Sequence, residues 1–425
     1  MTAGSRAANA APFAEARPRR RRSLRDRVAA TLAPPLRRAL LRLLDHVDCG
    51  SIEIVLPDGE RLVGRGSLSG PHAAIALQRW RPLARLALAG DIGLAESYRD
   101  GDWTTPDLTA LLEFGIRNEA SWGGKLDASG PVRWCFRAIH AMRANTRRGS
   151  RQNIAFHYDL GNDFYAQWLD PALIYSSALY RDEAQSLEAA QAAKLERVVE
   201  LLRLPSLRSE AQVLEIGCGW GAMALEIARR HPGRLTGVTL SAEQLVHARR
   251  RVEAAGVAGT VDLRLQDYRD VRGEFDRIVS IEMLEAVGER YWPVYFETLH
   301  ARLRPGGVAV LQVITIADAH FDKYRRGADF IQRFIFPGGM LPSPRAMRVE
   351  AERAGLTLRT ADLFGMSYAA TLVEWRRRFL QSWPQIAALG FDDAFRRLWE
   401  YYLCYCEAGF RAGRVDVGLY TIEHS

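Results

Sequence analysis

The sequence predicts an α/β chain in which a parallel, doubly wound sheet, with ligands outside the carboxyl ends of its strands, follows a smaller N-terminal α+β domain. Three observations carry this. Residues 211–223, Ala-Gln-Val-Leu-Glu-Ile-Gly-Cys-Gly-Trp-Gly-Ala-Met, read as a short buried strand that breaks into a tight glycine turn and then opens a helix. From there strand-like and helix-like segments alternate to about residue 314. Ahead of them, the β-like runs Ser51 to Leu56 and Arg61 to Gly66 are joined by Pro57-Asp58-Gly59-Glu60, a hairpin signal.

With 425 residues, 48% of them hydrophobic, the chain can bury a large core and is expected to hold two or three domains. No apolar run approaches the ~18 residues that span a bilayer, and the basic start lacks a following apolar signal core. The expected location is cytoplasmic, with membrane contact peripheral, at the inner surface. Five cysteines, at 49, 135, 218, 404 and 406, show no metal-ligand or redox spacing, so reduced, buried thiols and no metal are expected. The formal charge is +8, and residues 1 to 50, with eleven Arg against four acids, carry +7 of it. Lysine occurs only at 125, 194 and 323, which reads as composition rather than chemistry.

Residues 1–30, rich in Ala, Pro and Arg, read as a disordered basic arm. From Pro34 to Val47, Leu36, Leu40, Leu43, Leu44 and Val47 recur at helical spacing between Arg37, Arg38 and Arg42. Such a helix packs on its own domain or touches anionic lipid. The hairpin and helical segments around Ala84 to Leu88 and Asp107 to Arg117 complete a small domain over 31–120. Residues 121–152, with Arg143, Arg147, Arg148 and Arg151, form a basic connector, and 153–425 form the sheet domain. Past its fifth strand, Phe330-Ile-Gln-Arg-Phe-Ile-Phe-Pro-Gly-Gly-Met-Leu-Pro is an apolar insertion, and the last helix aligns Phe395, Trp399, Tyr402, Cys406 and Phe410. Both suit either ordinary core or the walls of a long apolar channel.

Gly217, Gly219 and Gly221 remove the Cβ atoms that would keep a ligand off the backbone, and the next helix offers its free N–H groups. A dinucleotide fingerprint would add a third spacer and a ribose-binding acid about 20 residues on. Here the second strand ends Gly-Val-Thr-Leu-Ser-Ala-Glu-Gln (237–244) and the acid is absent. Thr239, with Leu240 beside it, Ser241 and Gln244 are placed to meet a ribose. Gln266 and Asp267 follow the third strand, Val261 to Leu265, where an adenine would lie, and Glu215 sits where an amino group needs an acceptor. A cleft without a pyrophosphate clamp suits S-adenosylmethionine better than a nicotinamide. The fourth strand, Phe275 to Ile281, carries Glu282 and Glu285 just past its end.

A series of ordered motifs resembles the cyclopropane fatty acid synthase family: Ile154-Ala-Phe-His-Tyr-Asp-Leu-Gly-Asn-Asp-Phe-Tyr, Tyr175-Ser-Ser-Ala, Glu215-Ile-Gly-Cys-Gly-Trp-Gly, Gly237-Val-Thr-Leu-Ser-Ala-Glu-Gln, Gln266-Asp-Tyr-Arg-Asp, Phe275-Asp-Arg-Ile-Val-Ser, Phe336-Pro-Gly-Gly and Phe410-Arg-Ala. The resemblance covers about 150 to 415, and the first 120 residues look like that family's smaller domain. It implies a seven-stranded class I methyltransferase sheet and alkylation of cis double bonds in acyl chains of membrane phospholipids, at a membrane surface, with a homodimer as an open expectation. It also implies that Tyr175 and Ser176 reach the cofactor, and that a bicarbonate ion acts as base, held by Glu285, Tyr368 and the Ile314 backbone N–H. Two ligands depart from the pattern: Ser177 stands for a Cys and Gln312 for a His, while Ala286 replaces the His after Glu285. Both can still donate to an anion, but bicarbonate binding is expected to weaken or shift. Glu282-Met-Leu-Glu-Ala-Val-Gly, Trp292 and Leu311-Gln are similar to relatives that make methyl- or methylene-branched chains, so ring closure and branching both stay open.

A nucleic-acid methyltransferase would explain the basic arm, but would want a base-flipping motif where the chain reads Ser280-Ile-Glu-Met-Leu-Glu. No nucleic-acid partner is expected. The second alternative, a non-catalytic lipid-binding homologue, is opposed by the intact cofactor rim.

Overall fold

A computed structural model of the chain describes residues 33–123 and 160–424. The basic arm and the arginines of the connector lie outside the described residues.

The first part contains α1 (Ala33–Leu44), β1 (Cys49–Val55), β2 (Arg61–Arg65), β3 (Leu68–Leu77), α2 (Arg81–Arg99), β4 (Trp103–Thr104) and α3 (Leu108–Asn118). The hairpin closes where expected: Val55 pairs with Arg61, and Leu56 N–H donates to Glu60 O at 2.8 Å. Burial alternates along β2, so one sheet face turns inward. β3 then pairs parallel to β1, giving a four-stranded sheet of order β2-β1-β3-β4. α1 packs on its own domain: Leu40 is buried in the core with Ile52 and Ile54, and Arg37 grips Glu60 of the hairpin through two hydrogen bonds.

The larger part runs α4 (Asn162–Ala166), α5 (Leu187–Leu201), β5 (Gln212–Ile216), α6 (Ala222–Arg230), β6 (Arg234–Thr239), α7 (Ala242–Ala254) and β7 (Val261–Leu265). It continues with β8 (Phe275–Ile281), α8 (Leu284–Val287), α9 (Trp292–Arg302), β9 (Leu303–Ile316), α10 (Asp318–Tyr324), α11 (Phe330–Phe334) and α12 (Pro344–Arg353). β10 (Leu356–Leu363), α13 (Gly365–Gln381), α14 (Trp383–Ala388), α15 (Asp393–Arg411) and β11 (Val415–His424) close it. The seven-stranded sheet has the order β10-β11-β9-β8-β5-β6-β7, parallel except at β11, which runs antiparallel to both its neighbours. The chain winds outward from β5 to β7, then crosses back to β8 beside β5. That reversal is the switch point where strand-end loops part and leave a crevice.

The two parts meet along α15. Glu407, buried on this helix, accepts from Thr109 Oγ of α3 at 2.9 Å and from Arg411 at 2.8 Å, with Arg376 of α13 at 3.3 Å. Arg376 also donates to Thr109 Oγ at 2.6 Å. Glu119 receives both Lys323 and Arg414. Removing one member leaves the others charged and desolvated. Glu407→Ala is therefore expected to destabilise the fold by about 3 kcal/mol, the low end for breaking a buried pair because Arg376 keeps part of its side chain in water. Urea unfolding of the variant against the parent measures it.

Candidate active site

At the end of β5 the backbone turns through Gly217 (φ 86°), Gly219 (φ 51°) and Gly221 (φ 85°), a region side chains disfavour. Gly217 and Cys218 N–H both donate to Val238 O, which stitches the turn to β6. The glycines divide the labour. Gly217 and Gly219 line a cavity. A Cβ on Gly221 would sit 3.1 Å from Ala248 Cβ, so that glycine serves the close packing of α6 on α7.

Thr239, Leu240, Gln244 and Gln266 line the same cavity. Thr239 Oγ donates to Gln244 Oε1 at 3.0 Å, and Gln266 N–H donates to Thr239 O, so the ends of β6 and β7 and the start of α7 share one rim. Asp267 is held differently: its carboxylate takes the Arg269 guanidinium and caps the turn after β7 rather than lining the wall. Glu215 also lies behind the wall, buried, with one carboxylate oxygen lacking any partner. Burial alone holds that carboxyl well above the usual range. An ammonium group is what such an oxygen lacks.

Beyond β8 two buried carboxylates stand three residues apart. Glu282 has φ 47°, one of three non-glycine residues in the left-handed region among those described, and its N–H is anchored on Gln312 O at 2.8 Å. Its Oε1 accepts from Ser177 N–H at 2.8 Å and Gln312 Nε2 at 2.7 Å, and its Oε2 accepts from Tyr368 OH at 2.8 Å. Glu285 Oε1 accepts from Ile314 N–H, while its Oε2 is buried without a partner. Burial, reinforced by the neighbouring Glu282 charge, pushes the Glu285 carboxyl up to about 8. Burial raises Glu282 too, opposed by its donors and by Lys194.

Lys194, on α5, is fully buried and donates to Ser176 Oγ at 2.7 Å. Burial pulls its ammonium down to about 8, against Glu282 and Asp170, which favour the charge. With Gln191, which donates to Ser176 O at 2.9 Å, it fixes the segment that aims Ser177 N–H at Glu282.

Ser176 thus faces Lys194, away from the cavity. Ser177 contributes through its backbone, because its hydroxyl donates to Ala178 O. Gln312 also lies behind the wall, whereas Tyr175, Ile314, Glu285 and Tyr368 line it. Glu282 and Lys194 were missed as site residues. The signals were an acid directly past a strand at the switch point, and a lone lysine amid the apolar Ala-Ala-Lys-Leu of an arginine-rich chain.

The cavity is continuous and large, about 1190 Å³, beyond the roughly 300–1,000 Å³ of drug-sized pockets. Past the carboxylates it runs between Phe336, Leu372 and Tyr402 and into the small domain, where Leu40, Ile52, Ile75 and Leu111 form its wall. The aromatic insertion and α15 are therefore channel walls as well as core. Tyr175 OH meets Tyr402 OH at 2.9 Å, and the Tyr175 ring packs on Trp375 and Phe336.

Residues 145–419 match the family described as mycolic acid cyclopropane synthetase. The chain is 38% identical over 418 residues to the tuberculostearic acid methyltransferase UfaA1 of Mycobacterium tuberculosis, covering 94% of this chain and 93% of that protein. It is 37% identical over 350 residues to a cyclopropane-fatty-acyl-phospholipid synthase of Escherichia coli, covering 80% and 85%. Among solved structures, mycolic acid cyclopropane synthase CmaA1 complexed with SAH and CTAB matches at TM-score 0.59 and 30% identity, over 64% of this chain and 97% of that one. Coclaurine N-methyltransferase, at 16% identity and TM-score 0.58 over 79% and 99%, shares the fold alone.

Because the folded-state carboxyl of Glu285 titrates near 8 rather than 4.5, the stability it contributes is complete below about 4.5 and is lost as pH rises through about 8. Glu285→Gln should then raise Tm most above pH 8, with the gain shrinking toward pH 5. Thermal unfolding of parent and variant across that range reads it directly.

Proposed function

We propose, for a chain that belongs to the mycolic acid cyclopropane synthetase family, that the substrate is a cis-unsaturated acyl chain of a membrane phospholipid and the product a methyl- or methylene-branched chain. Family membership makes it an S-adenosylmethionine-dependent methyltransferase acting on lipid double bonds. The observation that carries the finer reading is the single apolar cavity joining the glycine turn, the carboxylate pair and the small domain.

Bound S-adenosylmethionine supplies an electrophilic methyl group on a sulfonium. The residues present fit it: the Gly217–Gly219 turn would admit it, and Thr239, Gln244 and Gln266 would meet its nucleoside end. An alkene is a weak nucleophile, so the chain's task is to align one of its carbons with that methyl in a dry site. Leu372, Ile314 and Phe336 supply the dry wall. The cation left on the acyl chain lies among the rings of Tyr175, Phe336, Tyr368 and Tyr402, whose faces favour positive charge. A hydride shift from the methyl-bearing carbon to its cationic neighbour moves the positive charge to the more substituted carbon, and loss of a proton from the added methyl then gives a methylene branch. Similarity over nearly the whole chain to a tuberculostearic acid methyltransferase supports branching over ring closure. No described helix is long and apolar enough to cross a membrane; the reading places the protein peripherally, at the cytoplasmic surface of the inner membrane.

Gly219→Val would force a branched side chain into a left-handed turn and into the cofactor groove. It should weaken S-adenosylhomocysteine binding at least about ten-fold by calorimetry, a loss of about 1.4 kcal/mol. Proton NMR of acyl chains released after incubation with monounsaturated phospholipid vesicles should show an exocyclic methylene. Cyclopropane methylene signals would replace the branching reading with ring closure, and label in RNA would replace the lipid reading.

A further inference from the structure

The bicarbonate that the family resemblance implies does not fit this site, because the donors assigned to it are already taken by the chain's own carboxylates. Ser177 N–H, Gln312 Nε2 and Tyr368 OH all end on Glu282, and Ile314 N–H ends on Glu285. A second anion here would find those donors taken and the Glu282 carboxylate beside it. We propose that the carboxylate of Glu282 takes the place of the free anion and is the base that removes the proton from the alkylated acyl chain. The inference rests on the lipid-alkylation reading of the same site.

Three features single out Glu282. Its side chain lines the cavity beside Tyr368 and Ile314, where the chain cation must form. Its backbone is held in a left-handed conformation that a carboxylate-bearing residue disfavours, and such strain persists where surrounding contacts over-determine it. Its oxygens are oriented by donors from three separate segments, so the base is fixed before any substrate arrives. The pair also divides its protons. Glu285 has an oxygen with no donor and stays protonated, whereas Glu282, with its three donors and the Lys194 charge nearby, carries the negative charge.

The step balances without an added reagent. One C–H bond of the transferred methyl breaks and its electron pair becomes the new carbon–carbon bond, π for a methylene branch or σ for a ring. The proton passes to a Glu282 oxygen and later to solvent. Lys194 is a positioning residue in this scheme, acting through Ser176 and the backbone of Ser177.

The test uses the full-length protein, monounsaturated phospholipid vesicles and methyl-labelled S-adenosylmethionine, in buffer stripped of carbon dioxide and again with millimolar bicarbonate. The expected result is that the parent transfers label to acyl chains at the same rate in both. Glu282→Gln should lose about 10²–10⁴-fold in kcat while binding S-adenosylhomocysteine as the parent does. Glu282→Gly, which opens the seat, should recover part of the loss with bicarbonate or formate. A parent that stops in stripped buffer and restarts with bicarbonate overturns the proposal, as does a Glu282→Gln variant that keeps its kcat. If the variants fail to fold, the two parent measurements decide alone. A parent that labels no acyl chain in either buffer overturns the lipid reading together with this one.

Discussion

A pair of carboxylates buried three residues apart constrains everything built at the head of this sheet. Two ionised groups cannot share a dry site, so one must keep its proton or gather enough donors to stay charged. Glu282 gathers donors from the Ser177 segment, from β9 and from α13. Meeting that demand fixes the pairing of Ile281 with Gln312 across β8 and β9. It also fixes the docking of α13, where Thr371 Oγ accepts Ala178 N–H and Ser367 Oγ accepts Tyr180 N–H. Glu285, left with a single donor, instead ties the loop after α11 into the site through Met340 N–H on its carbonyl. The proposed chemistry and the packing of four chain segments thus rest on the same few hydrogen bonds.

The small domain is part of the site. Its buried leucines and isoleucines belong to the same apolar cluster as α15 and also wall the far end of the cavity, and the buried Glu407 cluster holds α3 against α15 and α13. A substrate with a long apolar tail explains why apolar surface is left facing a cavity, when close packing would otherwise be the favourable state. A compact polar substrate would not.

Much of this was legible in the sequence, for identifiable reasons. A parallel strand buried on both faces reads as a nearly continuous apolar run, as β8 does, while β7, at the sheet edge, shows alternating burial; both fall at the residues expected, and the glycine turn carries its own backbone geometry. The rim of Thr239, Gln244 and Gln266 followed from strand order alone. What stayed hidden depends on contacts between distant positions. Glu282 meets partners 105, 30 and 86 residues away, and neither Tyr368 nor Gln312 announces which of two nearby acids it serves. Ser177 acts through its backbone, which side-chain identity cannot reveal. Lys194 stands out in the sequence only as a rarity, and the continuation of the cavity into the small domain depends on Leu40 and Ile75 lining the same space as residues of α15.

The claim at the centre is that a methyl group added to an alkene carbon of an acyl chain then gives up one of its own hydrogens. Mass analysis of acyl chains methylated from S-adenosylmethionine carrying a fully deuterated methyl group tests it most directly. The account predicts chains that keep two of the three deuterons, with none of the label in the lipid headgroup. Retention of all three, or label confined to the headgroup, would contradict it.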